Sequence, residues 1–254
     1  MLVSSTCTPW TCLTWAWMSS DSANPSVSVL DDGSPSGRPI AEDDAQLVSQ
    51  VGVGPWPGGP SCWPDDERLD PKLLAEGDRR NVLDCYRYWR MDAIVSDLDG
   101  RRRGFHVAIE NLGHDFNIGS IVRTANAMGA STVHIVGRKR WNRRGAMVTD
   151  RYMHVFHHPT LEDFTQWCRQ AAVVPVGIDI VPGAKPIEET SLPASAMLVF
   201  GAESQGLSDG MRDFCRQIVY ITQYGSTRSM NVGHAAAIAM FAWNQRKDAG
   251  LLQG

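Results

Sequence analysis

The sequence predicts an α/β domain with a mostly parallel sheet flanked by helices. Three observations carry this. Apolar stretches of strand length alternate with helix-length amphipathic stretches from about residue 104 to residue 247. Hydrophobic residues make up 43% of the 254-residue chain, enough for a buried core. Glycine-bearing turns follow the predicted strands, as expected where ligands sit beyond the carboxyl ends of an open parallel sheet.

Residues 1–65 do not read as a folded domain. Trp10, Trp15, Trp17, Trp56 and Trp63 sit among Ser, Pro, Gly and Asp with neither a 3.6 nor a 2.0 period. This part is expected to be a disordered extension or the product of a mis-assigned start codon; an arm contacting RNA or protein is the functional alternative. Order is expected from Asp66. A helical segment fills 66–103, with Val82, Tyr86, Trp89, Ala93, Ile94 and Leu98 at helical spacing over Asp78–Asp99. Arg101–Gly104 is a basic turn.

Phe105–Glu110 reads as the first strand, with a loop through Asn111, Gly113 and Asp115. Asn117–Gly129 opens with a turn and continues as a helix carrying Arg123. Its first N–H groups form an anion site. A strand at Thr132–Val136 ends at Gly137, and Arg138–Gly145 is a basic loop around Trp141. A strand at 154–158, a helix over Leu161–Ala171 and strands at Val173–Ile178 and Ala196–Gly201 follow. A helix from Ser208, a strand at Gln217–Ile221 and an alanine-rich helix over Asn231–Lys247 complete the pattern.

Net charge is −4, but it is unevenly spread. Residues 1–78 balance at −9, residues 79–160 at +7 with six of the seven histidines, and residues 161–254 at −2. A basic middle suits an acidic partner such as nucleic acid. Arg138, Lys139, Arg140, Arg143 and Arg144 surround Trp141, a ring able to stack on a base, so this loop and Asn117 are candidate RNA contacts. His154, His157 and His158 are not expected to bind metal, because alternate strand residues face opposite ways and no cysteine is near. The six scattered cysteines do not suggest a disulfide framework. No apolar run reaches the roughly 18 residues of a membrane span. With no Lys or Arg before Arg38, a secretory signal is not expected, and the protein is placed in the cytoplasm.

Three segments carry the chemistry: Asn117–Gly129 (N-I-G-S-I-V-R-T-A-N-A-M-G), Phe200–Asp209 (F-G-A-E-S-Q-G-L-S-D) and Ile221–Ala235 (I-T-Q-Y-G-S-T-R-S-M-N-V-G-H-A). None is a dinucleotide fingerprint or a phosphate loop, so nicotinamide and ATP chemistry find no support. In this order they resemble the signature motifs of the SpoU/TrmH RNA ribose 2′-O-methyltransferases of the SPOUT superfamily. The first fits N-x-G-x-I/V-x-R-x-A-x-x-x-G, the second L/V-x-F-G-x-E-x-x-G-L/I, and the third S-L/M-N-V before an alanine-rich helix. The likeness covers roughly residues 104–246.

The resemblance implies a C-terminal deep trefoil knot, which general topology rules would not predict. It implies S-adenosylmethionine held by main chain at Gly201, Ile221 and Met230, with a wall near Ile178; Glu203, counted with the cofactor-binding residues, is read as structural, pairing with backbone at the knot, with bracing of the site as the alternative. It also carries over Arg123, Ser229 and Asn231 as catalytic residues, and a homodimer. Arginine stays protonated in proteins, so Arg123 is read as binding phosphate and stabilising a developing alkoxide rather than as a base. Asn231 also suits the N-cap of the last helix. The chain departs from the family's usual residues at His114–Asn117 (H-D-F-N for D-P-x-N) and at Gly233-His234, where a serine is common. These departures bear on substrate choice. The expected reaction is 2′-O-methylation of tRNA or rRNA, with tRNA favoured because residues 1–65 lack the small RNA-binding domain of many ribosomal members. The alternatives are an RNA-binding relative without activity, and a base methyltransferase like the tRNA guanine-N1 branch.

Overall fold

A computed structural model describes residues 52–111, 117–202 and 205–253. Helices α1 (Pro71–Glu76) and α2 (Met91–Asp99) precede the sheet domain. Then come β1 (His106–Asn111), α3 (Ile118–Ala127), β2 (Thr132–Gly137), β3 (His154–His158), α4 (Leu161–Gln170) and β4 (Val174–Ile178). The two-residue strand β5 (Lys185–Pro186), β6 (Ala196–Phe200), α5 (Asp209–Phe214), β7 (Gln217–Tyr220) and α6 (Val232–Asp248) complete the chain. Among the described residues the strands form one seven-stranded sheet in the order β3-β2-β1-β6-β4-β7-β5. Every pairing is parallel, with Val107 opposite both Val133 and Leu198, and Val176 also opposite Leu198.

Period-two alternation explains both layers. Val107, Ile109, Val133, Ile135, Leu198 and Phe200 face one core with α3 and α6. Ala108, Val136, Met197 and Val199 face the other with α4 and α5. Helix α6 buries Ala236, Ala239, Met240 and Trp243, a stripe at three- and four-residue steps. Trp243 lies 4.8 Å from the Phe105 ring and donates its indole N–H to the Pro193 carbonyl at 2.9 Å. Among the described residues no helix is long and apolar enough to cross a membrane.

Two expectations for the region before the sheet need correction. Asp78–Asp99 is not one helix. The Asp78 carboxylate is fully buried and accepts the backbone N–H groups of Arg80 and Tyr88, each at 3.0 Å, and the Arg80 guanidinium at 2.7 Å. The chain therefore curls around this charge, Tyr88 takes φ +63°, and helix begins only at Met91. Packing also starts before Asp66. Val53 pairs with Asp78, the Trp56 N–H reaches the Leu74 carbonyl at 2.8 Å, and the Trp56 ring meets Tyr88 edge-on at 5.4 Å. These contacts come from single aromatics and turns, which leave no hydrophobic period to read. Trp10, Trp15 and Trp17, with the rest of 1–51, lie outside the described residues, as do Gly113, Asp115 and Phe116.

The three histidines of β3 have different partners. His154 bonds to Asp99 at 2.9 Å and His157 to the Gly137 carbonyl at 2.8 Å. His158 instead bonds to His134 at 2.8 Å, and Thr132 links His134 to His106 with 2.7 Å contacts on each side. His134 stacks on His158 and is covered by Trp167. Burial pushes all three of these imidazoles below their ordinary pKa, His134 to about 2. Protons therefore bind the unfolded chain more readily than the folded one. The stabilising difference is complete above pH about 6.5, the ordinary histidine pKa, and is lost as pH falls below it. The urea midpoint should accordingly drop between pH 7.5 and pH 5, a window above that in which carboxylates titrate. A His134→Phe variant should show a shallower drop in the same denaturation series.

Candidate active site

The loops after β4, β6 and β7 surround a cavity of about 490 Å³. Ile178, Gly201, Ile221, Ser229 and Met230 all line it, so four residues expected to hold a cofactor and one expected to be catalytic share one space. Asp179, Arg212 and Arg228 add charge to its wall. Glu203, counted with the cofactor-binding residues, lies outside the described residues.

Gly201 follows β6 at a point where no side chain is possible. A Cβ there would sit 2.0 Å from the Gly206 carbonyl carbon and 2.3 Å from the Leu207 nitrogen. Gly206 takes φ +67°, the left-handed region that glycine enters without strain. The loop is held from both neighbouring strands. Glu110, buried in β1, accepts the Ser208 N–H at 2.8 Å and the Ser208 hydroxyl at 2.7 Å. Asp179, just past β4, accepts the Leu207 N–H at 2.9 Å and the Ile180 N–H at 2.7 Å. Sequence reading missed both carboxylates. Their only local signal is a polar residue at the end of an apolar strand. Nearby Cys215 is mostly buried, and burial pushes its thiol up to about 12, so it is no nucleophile at neutral pH.

Asn231 caps α6, its side-chain oxygen accepting the Gly233 N–H at 2.9 Å and the His234 N–H at 3.4 Å. Its amide N–H donates to the Asn117 side-chain oxygen at 3.1 Å, joining the starts of α3 and α6. A Cβ on Gly233 would be 3.1 Å from the Ser120 hydroxyl, so glycine keeps these two starts close. His234 itself is exposed.

The basic loop is docked on α3. A Cβ on Gly119 would meet the Asn142 carbonyl and the Ala146 nitrogen at 2.8 Å. Asn111 anchors the loop's other end by donating to the carbonyls of Arg138 at 2.6 Å and Arg140 at 3.1 Å. Arg138, Lys139, Arg140, Arg143 and Arg144 are exposed. Trp141 is half-buried against the main core, with the Arg143 guanidinium 5.5 Å from its ring. The loop therefore offers cations to solvent while its indole is partly used in packing.

Arg123 does not join the first cavity. It lies six residues along α3 from Asn117, about 9 Å at 1.5 Å per residue. It lines a second cavity with Arg101, Arg102 and Arg103. Arg123 is exposed and has no acidic partner among the described residues. A single chain thus brings together the cofactor-type residues with Ser229, and separately Asn117 with Asn231, but not Arg123 with the first cavity.

Gly201→Ala is expected to destabilise the fold by about 3 kcal/mol or more, because backbone rather than a flexible side chain must move. Chemical denaturation measures this, and a cost under about 1 kcal/mol would contradict the close approach described above.

The chain is similar to known proteins. A tRNA (guanosine(18)-2′-O)-methyltransferase of Thermus thermophilus is 26% identical over 171 residues, 64% of this chain and 86% of the relative. A 23S rRNA (guanosine-2′-O-)-methyltransferase of Acinetobacter baylyi is 30% identical over 146 residues, 53% of this chain and 57% of the relative. Among solved structures, the SpoU methyltransferase AviRb from Streptomyces viridochromogenes in complex with the cofactor AdoMet matches with a TM-score of 0.53 and 26% identity. That match covers 59% of this chain and 63% of the other. Residues 104–241 match the model of the SpoU rRNA Methylase family, a span that includes β1, all three glycine-bearing segments and most of α6, and the chain belongs to that family.

Proposed function

We propose that this protein transfers a methyl group from S-adenosylmethionine to a ribose 2′-hydroxyl of RNA. The carrying observation is the cavity in which Ile178, Gly201, Ile221, Ser229 and Met230 meet beside the joined starts of α3 and α6. The residues fit the methyl donor. Gly201 lines the cavity, apolar side chains flank the space, and about 490 Å³ suits a nucleoside-sized ligand. When bound, S-adenosylmethionine supplies an electrophilic methyl group. In this reading Glu203 belongs to the cofactor-binding residues, and a trefoil knot formed by the C-terminal segments encloses the cofactor.

The chain's own groups supply position and charge. Ser229 and Asn231 orient the ribose, while Asn117 fixes Asn231 through their hydrogen bond. Arg123 holds a phosphate and steadies negative charge as it develops on the 2′-oxygen. A guanidinium makes a poor proton acceptor, so the hydroxyl proton passes to water or phosphate. Alignment of the attacking oxygen with the methyl group accounts for most of the rate. Arg138, Lys139, Arg140, Arg143 and Arg144 neutralise RNA phosphates beside α3, and Trp141 offers what remains of its ring to a base.

The working form is a homodimer. Arg123 lines the second cavity of its own chain and not the first, so a second copy would bring it to the site. Ile238 (40% exposed) and Phe241 (53% exposed) on α6 give apolar surface for that contact. We favour tRNA over rRNA as substrate, in line with the tRNA-modifying relative of which the chain covers 86%. Free thiols at Cys62, Cys85, Cys168 and Cys215 suit the reducing cytoplasm.

Incubation with methyl-labelled cofactor and total RNA, followed by nucleoside analysis, should give a 2′-O-methylated ribose. A methylated base would instead favour a base methyltransferase, and no transfer would favour a purely RNA-binding protein. Arg123→Ala should lower transfer about 100- to 1,000-fold while cofactor affinity is kept. Unchanged turnover would sink its assigned role. Sedimentation at micromolar concentration should report a dimer, and Phe241→Asp should shift it towards monomer.

A further inference from the structure

The first cavity carries charge of both signs on three separate elements: Asp179 just past β4, Arg212 in α5 and Arg228 in the loop after β7. The adenosine half of S-adenosylmethionine is uncharged and does not call for ionised side chains. Arg212 is accounted for by the wall itself. Its Nε donates to the Leu207 carbonyl at 2.8 Å, and its guanidinium pairs with Asp209 at 3.2 Å. Arg228 has no such role. It is exposed, lines the cavity and has no acidic partner among the described residues.

Asp179 has acceptor capacity to spare. Each oxygen takes one backbone N–H, from Ile180 and from Leu207, whereas a carboxylate offers about four acceptor positions in all. These bonds, and the close approach of Gly206 to its Oδ2, hold the carboxylate in place at the cavity. A cation and an anion on different loops of one cavity match a ligand that carries both signs. An RNA phosphate would meet Arg228 but would be repelled by Asp179. The amino-acid tail of S-adenosylmethionine carries a carboxylate and an ammonium group on one carbon.

We propose that Arg228 and Asp179 recognise the amino-acid tail of the methyl donor, Arg228 taking its carboxylate and Asp179 its ammonium group. A guanidinium matches a carboxylate with two parallel N–H donors, and an ammonium group donates to the acceptor positions that Asp179 has left. The inference rests on the methyltransferase reading, in which this cavity holds S-adenosylmethionine. The two charges thereby separate the donor from neutral nucleosides of the same shape.

The test uses the full chain as wild type, Arg228→Ala, Arg228→Lys and Asp179→Asn. Calorimetry measures binding of two probes. S-adenosylhomocysteine keeps the tail but has no methyl group to transfer, and 5′-methylthioadenosine keeps the adenosine and sulfur but lacks the tail. Arg228→Ala should bind S-adenosylhomocysteine about 10-fold more weakly, the worth of one hydrogen bond to a charged group, and 5′-methylthioadenosine as wild type does. Arg228→Lys, which keeps the charge, should recover part of that loss. Asp179→Asn should likewise weaken only the probe with the tail. An equal loss for both probes would mean that a substitution merely deforms the wall, and would overturn that residue's assignment. Unchanged S-adenosylhomocysteine binding in Arg228→Ala, with weaker binding of a labelled tRNA transcript, would give Arg228 to RNA and overturn the proposal. Wild-type protein that binds the two probes equally would overturn it as well, and binding of neither would sink the cofactor reading with it. Methyl transfer to RNA alongside probe binding insensitive to both residues would sink the tail assignment alone. Tail-dependent binding without transfer would sink the methyltransferase reading and leave the tail assignment standing.

Discussion

The site depends on how the loop after β6 is held. Strand order places β6 between β1 and β4, so its carboxyl end emerges between the ends of both neighbours. Each neighbour contributes a carboxylate, Glu110 from β1 to Ser208 and Asp179 from beyond β4 to Leu207. A buried carboxylate is costly unless its oxygens are hydrogen-bonded, and here the loop's N–H groups and the Ser208 hydroxyl meet that need. The same bonds fix the register of a loop in which Gly201 touches Gly206 and Leu207. The cavity wall is thus set by backbone contact, which few side-chain movements can alter.

A second junction couples the two helices that start beside that wall. Asn231 uses its oxygen to cap α6 and its amide nitrogen to reach Asn117 at the start of α3. Helix α3 in turn carries the basic loop, through the close approach of Gly119 to Asn142 and Ala146. Cavity wall, helix starts and cationic loop are therefore linked by direct contacts. Arg123 stands outside it on the exposed side of α3, the arrangement expected if the guanidinium serves a partner rather than its own chain.

The N-terminal segment is organised by a different charge. Asp78, fully buried, gathers Arg80 and Tyr88 around itself and turns what would have been a long helix into a loop ahead of α2. That loop forms a wall of the second cavity. On the opposite layer, the His106–Thr132–His134–His158 chain places imidazoles under Trp167, a polar seam in which burial disfavours protonation.

Local pattern by itself determined the alternation of strands and helices from β1 onward. Apolar runs such as Val107–Ile109 and Leu198–Phe200 are buried on both faces of a parallel sheet, and a chain with that property writes it into every residue of the strand. Pattern also marked the three glycine-bearing segments and the basic loop, because turns and charge density are local properties. The tertiary structure alone decided the rest. The order of the strands, the pairing of Glu110 and Asp179 with one loop, and the separation of Arg123 from Ser229 arise between residues far apart in the chain, where no period connects them. The break at Asp78 and the packing of Trp56 on Tyr88 belong here too, since a single buried charge or ring leaves no repeat to read.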